Sequence, residues 1–381
     1  MNQLYKYLAP FLADTFGFQE VVDVTDGMGI LDDCSGYKGR VSRTDAAEPY
    51  AGSRMVISWI RMEDVIGGTK PKLLDTFRDS FRALDPAFVL VGTAPVASMI
   101  GTDLEDVADS ITRESGVPAA AVELGGHQYY DQGISKTLLA LAKLLVQLAG
   151  DKVSGGVNLL GGNAIDWTSR NVRGVREWAE ENGFSVLSQW GARESAANLR
   201  QAARAEVNLV TAASGLAAAK WMEQEFGIPY VAAAPFGRSW SRQIADALRS
   251  QTQPQPPQSE EPAQVLIVGE QLTANAIRAA LQLDHGLPGA DVVTFFNFQK
   301  SWAAAGDQRV KSEDALKKRM CSGQYRLIIG DPDLRVLAPE DCRWIDLPHG
   351  AVCLDCAPDA VPLLAGEQLN RWLDRVLPGK D

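Results

Sequence analysis

Carboxylates, thiols and imidazoles seldom cluster in this sequence, so the few clusters stand out. Asp32, Asp33 and Cys34 follow one another inside the run DGMGILDDCSG, Asp26 to Gly36. Thiolates and carboxylates both bind iron, so this trio could ligate a metal or an iron–sulfur cluster. Three adjacent residues cannot fill a cluster's coordination, and a partner chain would have to supply the rest. The alternative is a surface loop with a stray cysteine. Cys353 and Cys356 form a C-x-x-C pair just after His349, with Cys342 upstream. These four could share a metal, although such sites usually show two pairs, and otherwise they are plain thiols. Cys321 closes a helical pattern and carries no signal. Only three histidines occur, His127, His285 and His349, and no two have helical spacing, which speaks against a histidine-rich zinc enzyme. His127, between Gly126 and Gln128, reads either as a solvent-facing loop residue or as a base.

Other candidates lie in turns that follow strands, where parallel sheets bind ligands. The segments 92–101 (GTAPVASMIG), 124–133 (LGGHQYYDQG), 161–168 (GGNAIDWT), 211–215 (TAASG) and 235–239 (PFGRS) would gather there. Their small residues admit a ligand or a partner subunit close to the backbone, or they are ordinary turns. Thr93, Ser214 and His349 are the polar candidates for a pocket, with turn or cap roles as the alternative. No G-x-G-x-x-G and no Gly-Lys-Ser/Thr phosphate loop is present, and the turn at Gly269 is not one.

The elements that must position these residues alternate in type. Strands are expected at 87–92, 119–124, 156–161, 184–189, 207–211 and 230–233, with helices at 103–114, 134–148, 172–182, 199–205 and 216–226 between them. Residues 250–262, SQTQPQPPQSEEP, read as a solvated linker. The pattern then restarts with strands at 264–269, 291–296, 325–330 and 343–347, and helices at 272–283, 312–320 and 366–376. Such alternation predicts an α/β fold with parallel sheets and crossover helices. The division is 1–150, 151–249, a linker at 250–262, and 263–381.

The 381 residues suggest two or three domains. Lys+Arg is 37 against Asp+Glu of 48, a net charge of −11, which argues against nonspecific nucleic-acid or anionic-membrane binding. Apolar residues at 46 % and charged residues at 22 % exclude disordered and fibrous classes. Five cysteines, sparse and mostly C-terminal, do not read as a disulfide framework. No apolar run is long enough to span a membrane, and the first residues lack a secretory pattern, so a cytoplasmic location is expected.

Several segments together resemble nitrogenase component 1 proteins. They are RMVISWIRMEDVIGGTKPKLLDTF at 54–77, DPAFVLVGTAPVASMIGTDLEDVA at 85–108, Gly116-Val117-Pro118, Gly125-Gly126, VNLLG at 157–161, RAEVNLVTAA at 204–213, WMEQEFGIP at 221–229 and QVLIVGEQLTANAIRAAL at 264–281. The resemblance runs from about Val21 to Trp372 and implies three Rossmann-like α/β/α domains with mainly parallel sheets around a central cleft. It also implies an oxidoreductase subunit that pairs with a homologous component 1 subunit as a hetero- or homodimer. Electrons would arrive from an ATP-dependent iron–sulfur reductase through an iron–sulfur cluster shared at the subunit interface. A scaffold or carrier for a metallocofactor or tetrapyrrole is the alternative role within the family, and neither nucleic acid nor membrane is an expected partner.

The departures from the family bear on ligands. Where the family has a cluster cysteine after the strand at 87–91, this chain has Ala94, and another cluster-cysteine position falls on Leu31 or Asp32. The cofactor cysteine of the nitrogenase α-type subunit corresponds to Ala212, and the cofactor histidine falls close to Asp346. No nitrogenase-type iron–molybdenum cofactor is therefore expected. Asp32 or Cys34 remains as a single cluster ligand, with Thr93, Ala94, Gly126, His127, Ser214 and His349 as the expected substrate or cofactor pocket.

Overall fold

The computed structural model describes residues 6–34, 53–148, 150–257, 261–353 and 358–377. They build three sheets in which every strand pair is parallel. The first contains β1 (Met28–Asp32), β2 (Met55–Ile57), β3 (Val89–Thr93) and β4 (Ala119–Val122) in the order β2-β1-β3-β4. The second repeats that order with β5 (Gly156–Leu160), β6 (Ser185–Trp190), β7 (Val207–Val210) and β8 (Tyr230–Ala232): β6-β5-β7-β8. The third adds a strand, with β9 (Val265–Val268), β10 (Ala290–Thr294), β11 (Gln308–Arg309), β12 (Leu327–Gly330) and β13 (Arg343–Asp346) in the order β11-β10-β9-β12-β13. In each sheet the winding reverses once: between β1 and β3, between β5 and β7, and between β9 and β12. Crevices beyond the carboxyl ends of such strand pairs are where doubly wound sheets hold ligands.

One apolar core runs through all three sheets, from Phe18 and Leu90 through Leu159 and Trp190 to Ile267 and Ile329. A smaller core of Met28, Ile30, Leu73, Phe77, Val89 and Val107 covers the other face of the first sheet. The strand β1 falls inside the glycine-rich run that carries Asp32. Gly27 and Gly29 there are required by packing, because a Cβ would strike the Phe88 ring or the Met55 sulfur. The helices Asp14–Asp23 and Tyr130–Leu145 cross at Gly17 and Gly133, where any Cβ would land on the carbonyl of Tyr130 or Asp14. That contact fixes the entry of the second helix and with it Tyr130.

Two connecting segments behave differently from a free chain. The proline-rich stretch expected to be solvated follows the helix Arg238–Ser250 and lies against the second and third sheets. The Gln253 side chain accepts the Ala232 N–H at 2.9 Å and donates to the Ala232 carbonyl at 2.7 Å, so it substitutes for a missing strand at the edge of β8. Pro256 is buried, and residues 258–260 of this stretch lie outside the described residues. At the other end, the N–H groups of Lys6, Tyr7 and Leu8 converge on the Glu313 carboxylate at 3.0, 3.0 and 3.2 Å. Leu12 N–H then donates to the Ala351 carbonyl at 3.2 Å, so residues 6–12 strap the first helix to the third sheet.

Candidate active site at the domain junction

The winding reversals of the second and third sheets face each other. Each carries a buried carboxylate just past its strand ends: Asp166 after β5, Glu270 after β9 and Asp331 after β12. Glu270 caps the helix Gln271–Leu283, and its carboxylate accepts the Thr273 N–H at 2.8 Å and the Thr273 hydroxyl at 2.9 Å. Its other oxygen accepts the Ala213 N–H from the second sheet's crevice at 3.0 Å. Trp167 Nε1 donates to Thr273 Oγ1 at 2.9 Å and closes the same seam.

Asp166 is the hub. Asn163 Nδ2 donates to its Oδ2 at 2.6 Å, and the Tyr130 hydroxyl donates to Oδ1. His349 Nε2 lies 3.2 Å from the same oxygen and 3.3 Å from the Tyr130 hydroxyl. The Ala351 N–H donates to His349 Nδ1 at 3.2 Å, which leaves Nδ1 bare and puts the ring proton on Nε2, aimed at Asp166. The His349 ring stacks on Phe296, and the His349 backbone N–H donates to Asp331 Oδ2 at 2.7 Å. Tyr130 comes from the first domain, Asp166 from the second and His349 from the third, so this triad is made only when all three meet.

The seam is rich in acids that resist ionisation. Burial pushes Asp131 up to about 7 and Asp331 up to about 6, and backbone N–H groups oppose both shifts. Glu270 is raised by burial and then by the nearby Asp166 charge. The Tyr130 phenol is raised well above its ordinary range by burial and the adjacent Asp166. Asp131 Oδ2 accepts the Asn297 N–H at 2.7 Å, while Oδ1 has no partner. Between the second and third sheets lies a cavity walled by Asp166, Gly269, Glu270, Thr273, Leu347, His349, Val361 and Leu364 among others. Its interior amounts to about 20 Å³. That is room for one or two waters.

The expected site residues separate into two places. Asp32, Cys34, Thr93 and Ala94 gather at the winding reversal of the first sheet. Asp32 is fully buried, with one carboxylate oxygen taken by Ser58 Oγ at 2.8 Å and the other by Thr69 Oγ1 at 2.6 Å. Cys34 is half-buried beside Ile60, and its thiol is raised by burial and by Asp33. Thr93 Oγ1 donates to the Leu124 carbonyl at 2.7 Å. Gly126 stands nearby, with its N–H on Asp14, and His127 is exposed. Ser214 and His349 belong instead to the junction, where Ser214 Oγ donates to the Gly161 carbonyl at 3.1 Å. Among the described residues Cys342 and Cys353 do not come together as metal ligands: Cys342 lies just before β13, and Cys353 lies beyond its end, against Asp331 and Asp333. Ligand atoms of those last three come within 4.8 Å of one another, and Cys356 lies outside the described residues.

The rim of the first crevice is apolar. The short helix Met62–Gly67 has no buried residue, and Met62, Ile66 and Met99 are 72 %, 83 % and 79 % exposed. Trp59, Val65 and Val96 are exposed beside them, and Trp59 holds a left-handed φ of 55°. For a bulky side chain that conformation is strained. Sequence reasoning did not single out Tyr130, Asp131, Asp166, Glu270 or Asp331. The available signal was positional, since Asp166, Glu270 and Asp331 each follow the end of a strand that borders a reversal.

Comparisons with known proteins agree with this architecture. The family described as nitrogenase component 1 type oxidoreductase matches residues 32–334. The nitrogenase iron-molybdenum cofactor biosynthesis protein NifE of Clostridium pasteurianum is 25 % identical over 180 residues, covering 47 % of this chain and 39 % of that protein. The B-type subunit of the light-independent protochlorophyllide reductase of Bradyrhizobium sp. (strain ORS 278) is 26 % identical over 200 residues, 48 % of this chain and 38 % of its own length. The nitrogenase molybdenum-iron protein alpha chain of Azospirillum brasilense is 26 % identical over 217 residues, 52 % and 42 % of the two chains. The matches thus span about two fifths of these relatives. A solved structure titled nitrogenase Cp1 at pH 6.5 superposes with a TM-score of 0.76 at 13 % identity, covering 99 % of this chain and 93 % of that one. Among the described residues, no helix is long and apolar enough to cross a membrane.

Proposed function

The chain belongs to the nitrogenase component 1 type oxidoreductases, and on that premise we propose that it is a reductase subunit working with a homologous component 1 subunit. Electrons come from an ATP-dependent iron–sulfur reductase through an iron–sulfur cluster that the two subunits share. The observation that carries this reading is the apolar rim around Cys34. A six-residue helix with no buried face gains nothing from packing within its own chain, whereas a partner seated on Met62, Ile66 and Met99 would supply that packing.

The residues present fit a single-ligand contribution to such a cluster. Cys34 offers one half-buried sulfur at the rim, and the Asp32 oxygens are held by Ser58 and Thr69, so a bond from Asp32 to iron requires one of those hydroxyls to let go. When bound, the cluster would supply one-electron transfer between the subunits. Asp33 accepts the Cys34 N–H at 2.7 Å and fixes the backbone that presents the thiol. A nitrogenase-type iron–molybdenum cofactor does not fit, because Ala212 is fully buried and its methyl has no electron pair to donate.

The missing ligand at Ala212 favours the second reading, a scaffold or carrier for a metallocofactor or tetrapyrrole without turnover of its own. Co-expression with the homologous subunit of the same organism, anaerobic purification and iron analysis test the first reading. A pair that binds iron and loses it in C34A, or in D32A with C34A, is expected. A pair without iron refutes the shared cluster, and iron unchanged in the double variant refutes these ligands. Reductase-driven turnover that D166N abolishes would exclude the scaffold.

A further inference from the structure

Two cavities lie between the second and third domains, and the helix Gln271–Leu283 stands between them. Its Thr273 and Ala274 wall the junction cavity, with Asp166 and His349. Its Leu272 and Asn275 wall the other, a space of about 10 Å³ closed by Ala232 and Trp240 from the second domain and Trp302 from the third. The remaining cover of this second space is the proline-rich stretch, through Pro254 and Pro256. Gln253 anchors that stretch on β8 by both of its bonds to Ala232, and Pro256 is buried. The stretch therefore grips the edge of the second sheet and lays its prolines on apolar side chains of the third domain. Their fixed φ angles keep the entropy lost in this seating small. Trp240 is 2 % exposed, and its indole N–H has no acceptor. Parting the seam would bring water to that donor, so closure is opposed at this wall. On the junction side, two donors of the second domain cross to the third: the Ala213 N–H to Glu270 at 3.0 Å and the Trp167 indole to Thr273 at 2.9 Å.

We propose that Gln253–Pro256 is a clasp between the second and third domains, and that its release is the step that opens the junction cavity. The first turn of the helix Gln271–Leu283 is common to both cavities. Its movement away from Pro254 and Pro256 also draws Glu270 and Thr273 away from Ala213 and Trp167, and His349 away from Asp166. The clasp thereby governs access to Asp166 and His349 for any molecule larger than the one or two waters of the closed cavity. Such a sub-global opening requires less free energy than unfolding and is read as faster exchange of the N–H groups it frees. The assignment goes beyond the reductase reading and holds with either role of the chain.

Hydrogen exchange of the full chain in native buffer, read by NMR, tests this. Q253A is expected to speed exchange at the Ala232 N–H, the Ala213 N–H and the Trp167 indole together, by about 5- to 30-fold, as for the loss of two hydrogen bonds. The amides of the buried strand β3 are expected to keep their wild-type rates. P256A leaves the bonds to Ala232 in place, and it is expected to speed Ala213 and Trp167 while Ala232 stays slow. Faster exchange at Ala232 alone in Q253A would overturn the proposal, because the stretch would then fray without the seam. An equal rise at β3 would overturn it too, since that marks a loss of global stability. So would wild-type rates at Ala213 and Trp167 in either variant. None of these readouts needs iron or a partner subunit, so the failure of the reductase reading is seen separately.

Discussion

Replacing Asp131 by asparagine should stabilise the protein most at neutral and alkaline pH, and leave it nearly unaltered only below about pH 4. Asp131 is 3 % exposed, and its Oδ1 has no partner. Asp166 adds repulsion, while the Asn297 and Gln132 N–H groups and the Arg309 charge only partly compensate. The carboxyl is therefore raised from 3.8 to about 7. A carboxyl raised on folding holds its proton longer in the folded state. Its contribution is fully present below the unfolded value and is lost as pH climbs through the folded one. Three units correspond to about 4 kcal/mol, an upper bound because local water entry relieves part of it. Asparagine keeps an oxygen for the Asn297 N–H and carries no charge. Urea unfolding of wild type and D131N at pH 4, 5, 6, 7 and 8 should show the variant ahead by about 2–4 kcal/mol at pH 8, by about 1–1.5 kcal/mol at pH 5, and approaching zero only below pH 4, under the unfolded value of 3.8. Other titrating groups are common to both proteins and largely cancel in the difference. A gap that does not move with pH, or a variant weaker at pH 8, would refute the reasoning.

Two further outcomes follow from the same seam and its flanks. Y130F removes the hydroxyl bound to Asp166 and should cost about 1.5–3 kcal/mol in denaturant unfolding, as for a hydrogen bond to a buried charge; an unchanged midpoint would show that the triad does not hold the domains together. Q253A deletes both bonds to Ala232 and should cost about 1–2 kcal/mol, with faster amide exchange at Ala232 as the local signature.

Much of the architecture is legible in the residues. The helix Leu216–Phe226 is bounded in the sequence by Gly227-Ile228-Pro229, and the strands from 87 onward announce themselves as apolar runs. The expectation of an α/β fold with parallel sheets agrees with the three sheets described. Met28–Asp32 hides because its glycines look like turn signals, whereas Phe88 and Met55 demand them from positions distant in the chain. The helices Asp14–Asp23 and Arg238–Ser250 also escape notice. The proline-rich stretch misleads because polarity says nothing about a side chain that completes a strand edge, as Gln253 does. Asp166, Glu270 and Asp331 were illegible for a different reason. Each looks like an ordinary acid after a strand, and only the facing of two reversals, a long-range fact, makes them one site. Of the residues singled out beforehand, Ser214 and His349 lie at this junction.

The strap onto Glu313 bears on how the molecule is made. Lys6 and Glu313 are 307 positions apart, so during synthesis the segment around Lys6 waits for the third sheet before its N–H groups find their acceptor. Contacts so distant in sequence form late and slowly. A nascent chain halted before residue 313 would already hold the helix Asp14–Asp23 against Tyr130–Leu145, but the N–H groups of residues 6–8 would lack their acceptor and stay open to chaperones.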